Sequence, residues 1–156
     1  MIRYFLFLVA LVTSLQAVCQ TKLYRGDVQV FDKLSYTITN TKVYHGDESL
    51  FNAILFTIDG NKIYAGSSSI ASEVAYTIEG DKVYKGDRED EANLLYTIKD
   101  NKVYKDPLCF PSDVLFTYDN QRVYSGDSTH PVDLLFTLSI DSNTKLALIA
   151  IIIGPY

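Results

Sequence analysis

The side chains with reactive or ligating chemistry are few and scattered. His45 and His130 are the only histidines. Both fall in segments that differ between copies of the pattern described below, with no nucleophile or metal-ligand partner at a recurrent spacing, so a histidine-based catalytic site is not expected. Cys109 is flanked by Leu108 and Phe110, the setting of an inert thiol rather than of an activated nucleophile. Gly-Asp pairs recur at Gly26-Asp27, Gly46-Asp47, Gly86-Asp87 and Gly126-Asp127. They could offer carboxylates to Ca²⁺, but Ser67 and Asp106-Pro107 interrupt the set, and turn formation accounts for them more simply. No metal, cofactor or enzymatic activity is expected. Six tyrosines, Tyr24, Tyr44, Tyr64, Tyr84, Tyr104 and Tyr124, remain as candidate binding residues, able to stack on sugar rings or cations along a polymer or to pack in a core.

Those tyrosines belong to a repeat. Lys22-Leu23-Tyr24 returns as Lys42-Val43-Tyr44, Lys62-Ile63-Tyr64, Lys82-Val83-Tyr84, Lys102-Val103-Tyr104 and Arg122-Val123-Tyr124, a spacing of 20 residues each time. In step with it runs an aromatic followed by threonine: Tyr36-Thr37, Phe56-Thr57, Tyr76-Thr77, Tyr96-Thr97, Phe116-Thr117 and Phe136-Thr137. The six copies are 22–41, 42–61, 62–81, 82–101, 102–121 and 122–141, and a fixed period of this kind signals a repeat architecture. Arg25-Gly26-Asp27, which spells the integrin-binding tripeptide, reads as a product of the repeat: Gly and Asp recur, and only the arginine is particular to the first copy.

Each copy carries the pattern of two strands. In Ile54-Leu55-Phe56-Thr57-Ile58 alternate residues share a face. Gly60-Asn61, matched by Asn40-Thr41, Gly80-Asp81, Asp100-Asn101 and Asn120-Gln121, has the composition of a two-residue hairpin turn. That turn would place Ile58 opposite Ile63 and Thr57 opposite Tyr64. Ile54, Phe56, Ile58 and Ile63 would then face the core, and Leu55, Thr57, Tyr64 and the Lys62 stem the other side. Connectors of about eight residues join the hairpins; they differ most between copies and are natural places for recognition. The expected fold is all-β: six tandem hairpins in a solenoid-like or closed array, since direct stacking of one coil per copy would put the lysines in a like-charge ladder. After Asp141 the period slips, and the isoleucine-rich stretch 145–153 reads as a closing or capping strand buried on both sides.

At the N-terminus, Met1-Ile2-Arg3 precedes an apolar run over Tyr4–Val12 and small residues up to Cys19, the layout of a secretory signal peptide over 1–19. Residues 20–156 then form a single repeat domain, and Cys19 is an alternative lipidation site. The full chain has a net charge of −5; without residues 1–19 it holds 13 basic and 19 acidic side chains, a net charge of −6. Such a surface repels nucleic acid and anionic lipid.

In period and hairpin layout the six copies are loosely similar to the choline-binding and cell-wall-binding repeats of bacteria, which are also aromatic hairpins; the tryptophans of those families are absent here. The resemblance implies a secreted, periplasmic or cell-surface module that binds a cell-envelope glycan or a protein through its aromatic and connector surfaces. A purely structural surface protein and a small outer-membrane β-barrel are the alternatives. The strands fall short of the roughly 9–11 residues that a membrane strand needs, so membrane insertion is not expected.

Overall fold

A computed structural model describes residues 20–47, 53–140 and 145–154. The expected signal segment, residues 1–19, lies outside them, as do Ser142, Asn143 and Tyr156.

Twelve strands form one closed antiparallel barrel. They are β1 (Thr21–Arg25), β2 (Leu34–Ile38), β3 (Lys42–His45), β4 (Ile54–Asp59), β5 (Lys62–Ala65), β6 (Val74–Glu79), β7 (Lys82–Lys85), β8 (Leu94–Lys99), β9 (Lys102–Tyr104), β10 (Val114–Asp119), β11 (Arg122–Ser125) and β12 (Leu134–Leu138). Each strand pairs with its neighbours in sequence, and β1 pairs with β12. Of the two arrays the sequence allowed, the closed one forms.

The hairpin register is the one the turn chemistry dictates: Ile58 lies opposite Ile63 and Thr57 opposite Tyr64. Two kinds of turn achieve it. Where glycine comes first, Gly60 and Gly80 take φ of 60° and 59° and the next residue returns to negative φ, the II′ pattern. Where it does not, both central residues are left-handed, at 50° and 61° for Asp100-Asn101 and at 47° and 66° for Asn120-Gln121, the I′ pattern. Both twist the chain in the sense that strands need. The turn at Asn40-Thr41 is built differently: the Thr39 hydroxyl accepts from the Lys42 amide at 3.0 Å.

Only five of the six hairpins are continuous. In the sixth, β12 supplies the aromatic-threonine strand and β1, from the other end of the chain, supplies the Lys-Leu-Tyr strand. Tyr24 sits opposite Thr137 and Leu23 opposite Leu138, as Tyr64 and Ile63 sit opposite Thr57 and Ile58. The missing turn is replaced by a bond from the Ser139 amide to the Lys22 carbonyl at 2.9 Å.

The inward face is the one expected from Phe56 onward, but the first strand residues are exchanged: an extra residue in β4 turns Leu55 toward the core cluster and leaves Ile54, expected inward, opposite the outward Tyr44. Leu23, Ile38, Val43, Ile63, Val83, Val103, Val123 and Leu138 are buried in a single core cluster with the repeat aromatics. The segment 145–153 departs from expectation: it is not a closing strand but an α-helix, α1 (Leu146–Ile153), joined to the same core cluster and packed against β8 and β9. The β1–β12 pair leaves no free sheet edge, so a segment in the lumen has no strand to bond with and must satisfy its own amides, which a helix does. A twelve-stranded barrel is too wide for its side chains alone to fill. Leu146, Ala147, Ile149, Ala150, Ile151 and Ile153 are buried and Leu148 and Ile152, on one face of α1, are half-buried, in keeping with a helix that has no polar face.

The connectors among the described residues leave and re-enter the barrel at the end opposite the hairpin turns. Those whose whole course is described finish in a 3-10 turn, with Pro111 and Pro131 opening two of them. The strand that follows is bulged at Ser35, Leu55, Ala75, Leu95, Leu115 or Leu135, opposite the repeat tyrosine.

Candidate ligand sites

The outward face repeats one constellation six times. A basic residue lies opposite a threonine, which lies opposite a tyrosine on the next strand: Lys62, Thr77 and Tyr84 across β5, β6 and β7, for example. After the tyrosine strand the chain turns at a glycine and folds back over the outer face. The glycine amide donates to the bulge carbonyl, as Gly86 does to Ala75 at 2.8 Å. The threonine hydroxyl donates to the glycine carbonyl: Thr37 to Gly46, Thr57 to Gly66, Thr77 to Gly86, Thr117 to Gly126 and Thr137 to Gly26, at 2.6–2.8 Å. Gly86 has φ of 71°, which is why glycine serves at this position. The following aspartate can then reach the basic residue 25 positions earlier. Lys22–Asp47, Lys62–Asp87 and Lys102–Asp127 pair at 3.6, 2.5 and 2.5 Å. The hydrogen bond to Asp87, and likewise that to Asp127, holds the Lys62 and Lys102 ammonium groups above their ordinary pKa.

The fifth connector breaks the pattern. Asp106 stands where glycine stands in the other five, the Asp106 carboxylate accepts from the Leu108 amide at 2.8 Å, and the local amide bond runs from Lys105 to the Asp113 carbonyl. No glycine carbonyl reaches Thr97. Its hydroxyl is buried and has no hydrogen-bond partner, the one such side-chain atom among the described residues. This gives a within-protein contrast. Thr77→Val removes a made bond and strands the Gly86 carbonyl, so it is expected to cost about 1–2 kcal/mol. Thr97→Val removes an orphan and is expected to be neutral or stabilising. Chemical denaturation of both variants decides it, and equal losses would contradict the assignment.

The constellation also places the six tyrosines. Tyr64, Tyr84, Tyr104 and Tyr124 are buried on the outer face beneath the folded-back chain, whereas Tyr24 and Tyr44 are half-buried. They do not form an open aromatic row. The covering depends on where connectors go, which the 20-residue period does not report. His45 and His130 are both exposed; the His45 ring packs edge-on to Tyr36 with centroids 5.6 Å apart, and the His130 imidazole caps the 3-10 turn ahead of β12. Cys109 is half-buried with a free thiol. Among the described residues no cluster of three His, Cys, Asp or Glu side chains could hold a metal ion, and no helix is long and apolar enough to cross a membrane.

Three cavities matter. At the turn end, one of about 550 Å³ lies between Ile58, Ile78, Ile98 and the start of α1. At the connector end, one of about 400 Å³ is lined by Phe116, Phe136, Leu115, Leu135, Ile153 and Arg25, among others. The repeat aromatics girdle this mouth, with Phe56–Tyr76 and Tyr36–Phe136 centroids 5.8 and 6.1 Å apart. Burial, with Tyr76 nearby, holds the Tyr96 phenol above its ordinary pKa and hence neutral. The third cavity, about 410 Å³, lies outside the barrel between Arg122, Tyr124, Pro131, Leu134, Gly26 and Asp27. The tripeptide Arg25-Gly26-Asp27 is therefore split: Arg25 lines the mouth and Asp27 the outer groove, with Gly26 turning the chain between them at φ 77°. Sequence reasoning missed Arg25 and Arg122 as cavity residues; their signal was only that each departs from its column of the repeat.

Comparison with curated proteins and with solved structures finds no match. A family model described as a 6-fold beta flower protein matches residues 23–152. Six hairpins around one axis, with connectors folded back outside like petals, agree with that description, and the chain belongs to the 6-fold beta flower protein family.

Proposed function

We propose that this protein is an exported, non-enzymatic binding module that takes an amphipathic molecule with an acidic head group into the connector-end mouth of its barrel. The observation that carries this reading is the cavity of about 400 Å³ that Phe116, Phe136, Leu115, Leu135 and Ile153 line together with one cationic residue, Arg25. Cavities of this size with apolar walls and one or two convergent polar groups suit small ligands, and a guanidinium at the rim suits a carboxylate. Export rests on the signal-type residues 1–19, with the secreted, periplasmic or cell-surface location that follows. Strands of three to six residues, against the roughly 9–11 that cross a bilayer, favour this reading over membrane insertion. Stacking on a cell-envelope glycan is a second reading, confined to Tyr24 and Tyr44 because they keep part of their rings in solvent.

Calorimetric titration with decanoate and decanol tests the proposal. Decanoate is expected to bind more tightly than decanol. Arg25→Gln should weaken decanoate about tenfold, the scale of one charge-assisted hydrogen bond, and leave decanol unchanged. Ser125→Phe, which fills the rim, should abolish both. No binding by the folded wild-type protein, or binding indifferent to Ser125→Phe, refutes the mouth as the site. A glycan array on which binding depends on Tyr24 and Tyr44 would establish the second reading instead.

A further inference from the structure

The six outer constellations serve as controls for one another. Where the basic residue and the aspartate 25 positions on are Lys22 and Asp47, Lys62 and Asp87, or Lys102 and Asp127, the two form an ion pair across the outer face. Around the ring, the partner of Arg122 in this scheme is Asp27, reached across the β1–β12 junction rather than along the chain. The rest of this copy is intact: Arg122 lies opposite Thr137, Thr137 opposite Tyr24, and the Thr137 hydroxyl donates to the Gly26 carbonyl at 2.6 Å. Yet no ion pair joins Arg122 to Asp27 among the described residues. Instead the two charges line one cavity of about 410 Å³, whose other walls are Tyr124, Pro131, Leu134 and Gly26. Arg122 is also the one arginine among the six basic repeat positions.

These features define a complementary ligand. A guanidinium presents a planar fork that binds a carboxylate through two parallel N–H···O bonds, which an ammonium cannot do. Asp27, across the same groove, is an acceptor for a cation. Between them Pro131, Leu134 and the buried Tyr124 offer an apolar wall. A molecule with a carboxylate, an ammonium group and an aliphatic side chain satisfies all three.

We propose that this groove, spanning the junction of the two chain ends, is a binding site for an α-amino acid zwitterion with an aliphatic side chain. It is separate from the mouth of the barrel: Arg25 lines the mouth and Asp27 the groove.

The test is an NMR amide titration of the folded protein with L-leucine, leucinamide, which lacks the carboxylate, and N-acetyl-leucine, which lacks the ammonium. Leucine should shift the amides of Gly26, Asp27 and Tyr124 and bind about tenfold more tightly than either analogue. Arg122→Gln should reduce leucine to the level of leucinamide, and Asp27→Asn to that of N-acetyl-leucine. Both residues are exposed and neither makes an ion pair among the described residues, so the variants should keep the wild-type circular dichroism and melting temperature. Arg25→Gln should leave leucine binding unchanged, which keeps this result independent of the decanoate experiment. Absence of leucine shifts, equal affinity for the three compounds, or leucine binding that survives Arg122→Gln and Asp27→Asn overturns the proposal.

Discussion

Ile149→Asp is expected to leave the protein without a cooperative native state. Ile149 is 2% exposed on a helix whose neighbours in the lumen are the inward residues of the barrel. A carboxyl group there meets no partner and no water. Whether it stays charged or takes up a proton, the cost is several kcal/mol, on top of the lost burial of isoleucine. Total stability for a domain of this size is about 5–15 kcal/mol. Ile149→Ala, which only opens a cavity, should cost about 2–5 kcal/mol and keep the fold. Far-ultraviolet circular dichroism with urea titration reads both. If Ile149→Asp unfolded cooperatively with a midpoint near that of wild type, α1 could not be the filling of the barrel.

The second large effect is expected at the junction of the chain ends. Removing residues 20–25 deletes β1, and with it the ladders to β2 and β12 and the fully buried Leu23 and Thr21. Two strand edges are then exposed, each able to pair with another chain. The truncated protein should lose the wild-type native state, populating larger assemblies or unfolded chain on size-exclusion chromatography with light scattering. A peptide spanning residues 20–27 added in trans should restore the wild-type elution, because the sixth hairpin is already assembled from two separate pieces of chain. The same peptide with Leu23→Asp should not. A truncated protein that elutes like the wild type, with an unchanged denaturation midpoint, would mean that β1 does not hold the ring closed.

The local design of this protein is written in its residues. Alternation over Phe56–Ile58 and the turn at Gly60-Asn61 determined which residues face each other and put Phe56, Ile58 and Ile63 toward the core, because both depend on a few consecutive dihedral angles; the bulge that turns Leu55 inward in place of Ile54 is set by the connector folding back and was not legible. The 20-residue period determined that six equivalent units occur. The candidate tyrosines were legible as repeat positions, but their covering was not, since it depends on connectors that fold back to residues 25 positions away.

What only the tertiary structure decided was closure and its consequences. Curvature accumulates over all the strands, and no single copy states whether the total completes a ring. Once β1 and β12 meet, the apolar segment 146–153 has no edge to extend and becomes a helix, although its isoleucines favour strands. The same closure brings Asp27 to Arg122, residues nearly a full circuit apart in sequence, and so makes a groove that exists only where the two ends of the chain come together.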